Sequence, residues 1–329
     1  MGLKSDLKAK HELHKFCNWY ACYKICEWCF AVRMPLVHCL NYRHLVGPEA
    51  LHRLTLMSHA DYLRNTPQDK LSPWTDHPDW DIRRNHHDNL HLLFQGGVCK
   101  DISATGLMEL AAVEHFFLPG VQDTELQLQE AYRRFKTFCK RKGYQYTTVW
   151  VFTETALMAH GPPQIPNRVK ASAAMYLTFW MCEVASEAAA LPGASTRAFH
   201  RASLFAGMVG FLSVQQKNGT CFLSEEEVKE CKRFGEMFLS SYHILSKTVP
   251  SREDLVWHMR PKLHYFQHQI SDLTIENPHS YACWLEEDFV GKIGNLISKT
   301  HRATACKSSL LRYIFFMVTR WFKAKSPGF

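Results

Sequence analysis

Apolar positions recur every three to four residues along the middle of the chain, which is the pattern of helices with a buried face. The first such stretch covers residues 101–117 and must stop before Pro119. A second runs from a capping box at Thr124 and Gln127 to Gly143, since glycine ends helices in the left-handed conformation. The pattern predicts a helix over each stretch.

Three further segments have helical signals. Residues 168–190 are rich in alanine, and Ser224 with Glu227 forms a second capping box in front of an amphipathic stretch. Ser251 is a candidate cap for a short helix that ends near Pro261, because a proline disfavours helix at the residue before it. The central part of the chain is therefore predicted to be helical.

Strand signal is thin, so the predicted fold class is mainly α, with α+β as the alternative. Composition and the positions of Pro and Gly divide the chain into three predicted segments. Residues 1–100 are rich in Cys and His and then irregular, residues 101–260 are helical, and residues 261–329 contain closely spaced motifs. No apolar run approaches the roughly 18–20 residues that cross a bilayer, so no membrane partner is expected.

The formal net charge of +8 is concentrated at one end of the chain. From Phe289 to Phe329 there are eight basic residues and no acidic one, so the rest of the chain is neutral. Basic residues interleaved with aromatic ones suit a nucleic-acid backbone, but they equally suit the solvated face of terminal helices. The candidate nucleic-acid contacts are Lys292, Lys299, Arg302, Arg312, Arg320 and Lys323.

Twelve cysteines are spread unevenly along the chain, which favours an intracellular, reducing compartment, and the nucleus if the protein binds DNA. Most of these thiols are expected to be small core residues. Cys26-x-x-Cys29 has the spacing of half a tetrahedral zinc site, with buried free thiols as the alternative.

The second half of such a zinc site has no standard spacing in the sequence. The pairs that offer it are Cys17 with Cys22, His11 with His14, and His38 with Cys39. The candidate zinc ligands are Cys22, Cys26, Cys29 and His38. His264 and His268 also share a helical face, and we interpret them as partly buried, hydrogen-bonded histidines rather than as ligands.

Asp88 and His91 lie three residues apart, so they share a helical face. A carboxylate and an imidazole in that arrangement suit a divalent metal or an oriented general base. The alternative is a helix start with Asp88 as the N-cap. The acidic run Glu286-Glu287-Asp288 likewise offers a metal ligand, or a favourable charge at a helix N-terminus. No Walker loop, GxGxxG or GxSxG motif is present, so no nucleotide cofactor is expected.

The order of these motifs along the chain resembles a known protein family. Gly2-Leu-Lys-Ser-Asp6 precedes Cys26-x-x-Cys29-x-Ala31, Asp88-Asn-Leu-His91 precedes Gly96 and Asp101, and Arg260-Pro-Lys-Leu-His264 precedes Trp284-Leu-Glu-Glu-Asp-Phe-Val-Gly-Lys292. This order resembles transposon-derived proteins that are multiplied in some protist genomes. They look like distant relatives of the CACTA and KDZ/Plavaka cut-and-paste DNA transposases.

The resemblance implies an RNase H-like core in which a carboxylate triad binds two Mg²⁺ or Mn²⁺ ions for DNA cleavage and strand transfer. By position, the candidate catalytic residues are Asp6, Asp88 and either Glu286 or Glu287. Residues 101–260 would then be a large helical insertion in a partial core.

The chain departs from the family pattern at its start. The family has Gly before the first Asp, whereas Ser5 precedes Asp6 here, and the strand that should lead into Asp6 is expected to be almost absent. We therefore expect an N-terminally truncated, inactive copy of a DDE-type transposase, or a gene model that begins too late. The alternative is a non-enzymatic helical module that binds DNA or protein and contains a structural zinc site.

Overall fold

The computed structural model describes residues 3–5, 7–12, 15–16, 18, 21–35, 38–146, 151–159, 161–217, 219–248, 252–283, 310–311 and 314–315. Backbone contacts divide the chain into two units, Met1–Ala282 and Cys283–Phe329. In the second unit, Leu310, Leu311, Ile314 and Phe315 are helical and exposed. The division into residues 1–100, 101–260 and 261–329 stays a prediction.

The first unit is built mainly from helices, as the hydrophobic pattern predicts. They are α1 (Leu7–Glu12), α2 (His59–Asn65), α3 (Val98–Ala112), α4 (Thr124–Lys142), α5 (Glu154–Leu157), α6 (Ala171–Ala189), α7 (Thr196–Lys217), α8 (Glu225–Lys247) and α9 (Pro261–Ser271). Short 3₁₀ turns lie at Leu51–Leu54, Gln68–Lys70, Pro73–Asp76, Ile82–Arg84 and Pro278–Tyr281, and a π-helical turn lies at Leu90–Phe94. Within these described helices, none is both long and apolar enough to cross a membrane.

Helix α3 lies in the centre of this unit. Every residue from Val98 to Ala111 is buried, and the helix contacts α4, α6 and the turn Leu90–Phe94. A helix that is buried all round has no polar face, which explains why its apolar residues do not form a single stripe.

Helices α7 and α8 pack closely along their length. At Gly207 a Cβ atom would lie 2.8 Å from both the carbonyl oxygen of Phe234 and the amide nitrogen of Phe238. The absence of a side chain at this position therefore lets the two backbones approach. Gly235 does the same for α9, since a Cβ there would lie 2.6 Å from the side chain of Ile270.

The helix ends follow the predicted capping chemistry with one correction. Ser224 and Glu227 form the predicted capping box of α8, and Gly143 ends α4 with a φ of 69°. The box predicted at Thr124 and Gln127 is wrong, because Asp123 is the N-cap of α4 and accepts a hydrogen bond from the amide of Leu126.

The helix predicted between Ser251 and Pro261 is also wrong. Residues 252–260 are not helical, and Pro261 begins α9 instead of ending a helix. Proline is well tolerated in the first helical turn because its missing N–H has no helical partner there.

Two strands of three residues each form a parallel pair, β1 (Leu3–Ser5) with β2 (Asn85–His87). In this register Ser5 lies opposite His87. The strand before Asp6, which we expected to be almost absent, is thus present as a short paired segment. The RNase H-like core stays a prediction, since the named strands of the described residues are these two.

A buried ionic network joins α3 to α7. The guanidinium of Arg201 is fully buried and lies 3.2 Å from the carboxylate of Glu109 and 2.7 Å from that of Glu114. Arg197 also contacts Glu109, and the indole N–H of Trp257 donates to Glu109 at 2.7 Å. These partners satisfy charges that would otherwise be very unfavourable in the core.

Candidate metal centre

The Cys26-x-x-Cys29 motif lies at the tip of a tight loop. Lys24 and Val32 form an antiparallel bridge below the tip, and the amide of Ile25 donates to the carbonyl of Ala31 at 3.1 Å. The loop turns both sulfur atoms into the protein, where Cys26 and Cys29 are buried. The amide of Trp28 also points at the Sγ atom of Cys26, at 3.3 Å, an arrangement that stabilises a thiolate.

Helix α9 supplies two imidazoles to the same point. His264 and His268 are one helical turn apart, and their Nε2 atoms lie 3.2 Å from each other. The Nε2 atom of His264 lies 3.4 Å from the Sγ atom of Cys29, and that of His268 lies 3.5 Å from the Sγ atom of Cys26. The donor atoms of all four residues lie within 4.8 Å of one another, and all four residues are buried.

The separations of Cys29 from His264, of Cys26 from His268 and of the two histidines match edges of a tetrahedron around a zinc ion. With Zn–S near 2.3 Å and Zn–N near 2.0–2.1 Å, tetrahedral angles place sulfur and nitrogen about 3.5 Å apart and two nitrogens about 3.3 Å apart. The four side chains are therefore placed so that they could hold a metal ion.

Burial and neighbouring groups set the protonation of the donors. Although burial opposes the shift, Cys26 and Asp272 raise the pKa of His268 to about 9. Burial raises the pKa of the Cys26 thiol well above its usual value, with Cys29 adding to the shift. It lowers the pKa of His264 well below its usual value, so this imidazole is neutral and keeps a lone pair for a ligand bond. A metal must therefore displace a proton from the Cys26 thiol and one from the His268 imidazole when it binds, which makes its affinity depend on pH.

Residues around the four donors fix their orientation. The Oδ2 atom of Asp272 lies 3.0 Å from the Nδ1 atom of His268, which leaves Nε2 of that ring as the ligand atom. The hydroxyl of Tyr265 donates to the carbonyl of Ile25 and ties α9 to the cysteine loop. Trp28 packs its ring 5.4 Å from that of His268 and 4.6 Å from that of His87.

The structure brings two of the predicted zinc ligands together with two histidines that we interpreted as hydrogen-bonded residues. Cys26 and Cys29 belong to the four-donor cluster, whereas Cys22 and His38 are not among its four members in the described part of the chain. His38 instead accepts a hydrogen bond from the amide of Leu40 at 3.2 Å. The second pair comes from His264 and His268, whose four-residue spacing on one helical face was the available signal.

Asp88 and His91 form a separate contact outside the four-donor cluster. The Oδ2 atom of Asp88 contacts the Nδ1 atom of His91, and its Oδ1 atom accepts from the amide of Leu90 at 2.9 Å. The carboxylate is fully buried, and Lys10 lies near enough for its ammonium to interact with that charge. Asp88 thus binds the first turn after β2 and also orients an imidazole.

The other predicted functional residues lie outside the described residues. These are the acidic residues Asp6, Glu286 and Glu287, and the basic residues Lys292, Lys299, Arg302, Arg312, Arg320 and Lys323. Within the described part, one group of three or more His, Cys, Asp or Glu side chains is arranged so that it could hold a metal. Its members are Cys26, Cys29, His264 and His268.

All ten cysteines that the structure describes are free, and five of them are buried. Comparison with protein-family models, with curated proteins and with solved structures finds no match to this chain.

Proposed function

We propose that this chain is a zinc-dependent helical protein derived from a cut-and-paste DNA transposase, and that its Cys2His2 centre is structural. The observation that carries the zinc assignment is that four buried donors lie within 4.8 Å of one another. Two thiolates and two imidazoles in that geometry favour Zn²⁺ over Mg²⁺ or Mn²⁺, which prefer oxygen ligands.

A structural role fits better than a catalytic one for two reasons. All four tetrahedral positions are occupied by protein donors, whereas a catalytic zinc keeps one position for water or substrate. The donors also come from segments that are 235 and 242 residues apart, so one ion would close a very long loop. Such an ion stabilises the fold because the unfolded chain has no preformed site.

Metal analysis of the purified protein tests this assignment. We expect one zinc ion per chain, loss of that zinc in Cys26→Ser and in His264→Gln, and retention in Cys139→Ser, which removes a buried thiol of α4 as a control. Cobalt substitution gives a second measurement, since S2N2 ligation produces strong visible d–d bands and a thiolate charge-transfer band. A chain without zinc, or a Cys26→Ser variant that keeps it, contradicts the assignment.

The transposase ancestry is supported by the register of the strand pair. Ser5 lies opposite His87, and these residues directly precede Asp6 and Asp88 in the sequence. Carboxyl ends of adjacent parallel strands lie at the same edge of a sheet, which is where active-site residues of open sheets gather. The third acidic residue, Glu286 or Glu287, rests on the sequence motif alone.

We propose that this ancestral site no longer cleaves DNA. Two-metal catalysis needs carboxylates that are available to Mg²⁺ or Mn²⁺, whereas the Asp88 carboxylate already contacts His91 and the amide of Leu90. In a nicking assay on supercoiled plasmid with either ion, the native protein and Asp88→Asn should give the same background. Nicking that Asp88→Asn abolishes would show instead that the site is active.

A further inference from the structure

A small cavity of about 190 Å³ opens at the carboxyl end of α8. Its wall also includes residues of the segment that follows the cysteine loop and of the segment that precedes α9. None of the four candidate metal ligands lines it. The volume is below the roughly 300–1,000 Å³ of drug-sized ligand sites, so the cavity suits a compact ligand or a single chemical group.

The ionisable side chains that line this cavity are cations or imidazoles. They are Arg43, His44, His243, Lys247 and His258. Among the residues that the structure describes, no Asp or Glu contributes to the wall. A concave site lined by charges of one sign attracts ions of the opposite sign, so this site favours an anion.

A carboxylate of the protein itself already contacts this group of cations. The Oε2 atom of Glu49 lies 3.2 Å from the Nζ atom of Lys247 and 3.5 Å from the Nδ1 atom of His44. The hydrogen bond from Lys247 lowers the pKa of Glu49, so this side chain is an anion at neutral pH. Because the Glu49 side chain is 57% exposed, the contact is a weak surface ion pair that an external anion can replace.

The guanidinium of Arg43 is available for an anion. Its Nε atom lies 3.4 Å from the hydroxyl of Tyr42, to which it donates, and the group lies over the ring of the same tyrosine. Within the part of the chain that the structure describes, no carboxylate forms an ion pair with it. The two terminal nitrogens of a guanidinium can bind two oxygens of one oxyanion.

The imidazoles of the wall are in a region of positive charge. Burial lowers the pKa of His243, and Lys247 lowers it further, although Glu49 opposes the shift. Burial likewise lowers the pKa of His258, and the neighbouring charges that add to the shift are Arg260 and Arg43. An anion in the cavity would therefore relieve repulsion among the cations around it.

The carboxyl end of α8 opposes this effect, because the last carbonyls of a helix have partial negative charge. Thr248 reduces the opposition, since its hydroxyl lies 3.1 Å from the carbonyl oxygen of Ile244 and 3.3 Å from that of Leu245. The positive charges of Arg43 and Lys247 are full charges, so they outweigh the helix end.

We propose that this cavity binds a phosphate group as a dianion through Arg43 and Lys247, and that Glu49 is its internal competitor. Two permanent cations match two negative charges. The linkage phosphate of a nucleic acid is a diester with only one. The site goes beyond the proposed function, since it uses neither the zinc donors nor the acidic residues of the transposase motifs, and zinc content and nicking are measured independently of it.

Protection of Lys247 from acetylation tests the proposal in the full, zinc-loaded chain. An N-hydroxysuccinimide ester of acetate is applied at about pH 8, where phosphate is dianionic. Mass spectrometry then gives the reaction rate at each lysine as inorganic phosphate replaces chloride at constant ionic strength. We expect phosphate to protect Lys247 and to leave Lys229, an exposed lysine of α8 that pairs with Glu226, unchanged.

Three variants test the roles of the side chains. Arg43→Ala should raise the phosphate concentration that gives half-protection by about tenfold, because the anion loses charged hydrogen bonds. Glu49→Gln should lower that concentration by about two- to fivefold, since the competing carboxylate is gone. The matched control Arg64→Ala removes an exposed arginine of α2 and should change it by less than about twofold.

Two further probes identify the source of the phosphate group. Dimethyl phosphate has the single charge of a nucleic-acid linkage and should protect Lys247 at least about fivefold less well than inorganic phosphate. Phenyl phosphate is a dianionic monoester. A lower half-protection concentration for phenyl phosphate than for inorganic phosphate assigns the site to monoesters, and a higher one assigns it to free phosphate.

The proposal is overturned if phosphate protects Lys247 and Lys229 equally or protects neither. It is also overturned if Arg43→Ala behaves like Arg64→Ala, or if dimethyl phosphate protects as well as inorganic phosphate. A Glu49→Gln variant that binds phosphate no more tightly than the native protein excludes Glu49 as the competitor and contradicts the proposal as stated.

Discussion

The Oδ2 atom of Asp272 lies 3.0 Å from the Nδ1 atom of His268, and His268 precedes Asp272 by one helical turn. This contact belongs to the type of carboxylate–imidazole pair that supports metal ligands from behind. It fixes the orientation of His268 so that Nε2 lies 3.5 Å from the Sγ atom of Cys26.

Asp272→Asn should weaken zinc binding by about 10- to 100-fold, which is the usual cost of losing such an outer partner. Competition with a chromophoric chelator measures the affinity. Asp79→Asn, at an exposed aspartate between Pro73–Asp76 and Ile82–Arg84, is the control and should leave the affinity unchanged. Equal affinities for Asp272→Asn and the native protein would mean that the contact does not support the metal.

Arg201→Leu should destabilise the fold by about 3–5 kcal/mol, because it leaves the buried carboxylate of Glu109 without one of its cationic partners. Urea unfolding of the zinc-loaded protein measures the change. Arg133→Leu in α4 removes an exposed ion pair with Glu130 and should cost less than about 1 kcal/mol. If the two variants lose similar free energies of unfolding, the burial of the Arg201–Glu109 ion pair does not make its loss more destabilising.

Asp101 should make stability depend on pH in the acidic to neutral range. Burial raises the pKa of its carboxyl to about 7, even though Arg260 and Lys262 oppose the shift. Because this pKa is above the value of about 3.9 in unfolded chains, the folded state favours the protonated acid. The contribution of Asp101 to stability is therefore lost as pH rises from about 4 to about 7.

Asp101→Asn isolates that effect. Its free energy of unfolding, relative to the native protein, should increase between pH 4 and pH 8 by on the order of 4 kcal/mol. Asp61→Asn is the control, since Ser58 lowers the pKa of that exposed carboxyl and no comparable rise is expected. If the difference in free energy of unfolding between the native protein and Asp101→Asn stays constant with pH, the carboxyl of Asp101 does not have a raised pKa.

Replacing Lys292, Lys299, Arg302, Arg312, Arg320 and Lys323 with glutamine tests whether the basic C-terminal segment contacts DNA. If all six contact phosphates, the slope of log affinity against log salt concentration should become shallower by about 5. The control replaces Lys140, Arg141 and Lys142 at the end of α4. An unchanged slope in the sixfold variant would mean that the segment only faces solvent.

Local signals of the sequence predicted local structure well. The Ser224–Glu227 capping box and Gly143 act within one turn of the chain, so they are readable without knowledge of the fold. At the start of α4 the competing signal was Asp123, one residue before Thr124, and the side chain of Gln127 instead bonds the loop residues Leu118 and Val121.

Features that depend on tertiary contacts were predicted without their bounds or were missed. Helix α7 (Thr196–Lys217) buries residues on several sides, so it lacks the single apolar stripe that identifies a surface helix. Strands β1 and β2 are three residues long, too short for an alternating pattern to be recognised.

The metal centre also combines local patterns, which the sequence shows, with a tertiary contact, which it does not show. Two cysteines separated by two residues are a local pattern, and so are two histidines on one helical face. What joins them is a fold that brings Cys29 and His264 together across 235 residues of chain. The histidines were recognised as a pair, but the sequence offered no reason to join them to the cysteines.

The long separation of the two donor pairs has a consequence for synthesis. A nascent chain exposes its cysteine pair early, but the tetrahedral site is complete only after His268 has left the ribosome. Any product that terminates before α9 therefore has two unpartnered thiols and no closed metal site. Zinc retention would then distinguish chains that include α9 from copies that end before it, which makes the ion a reporter of translation through His268.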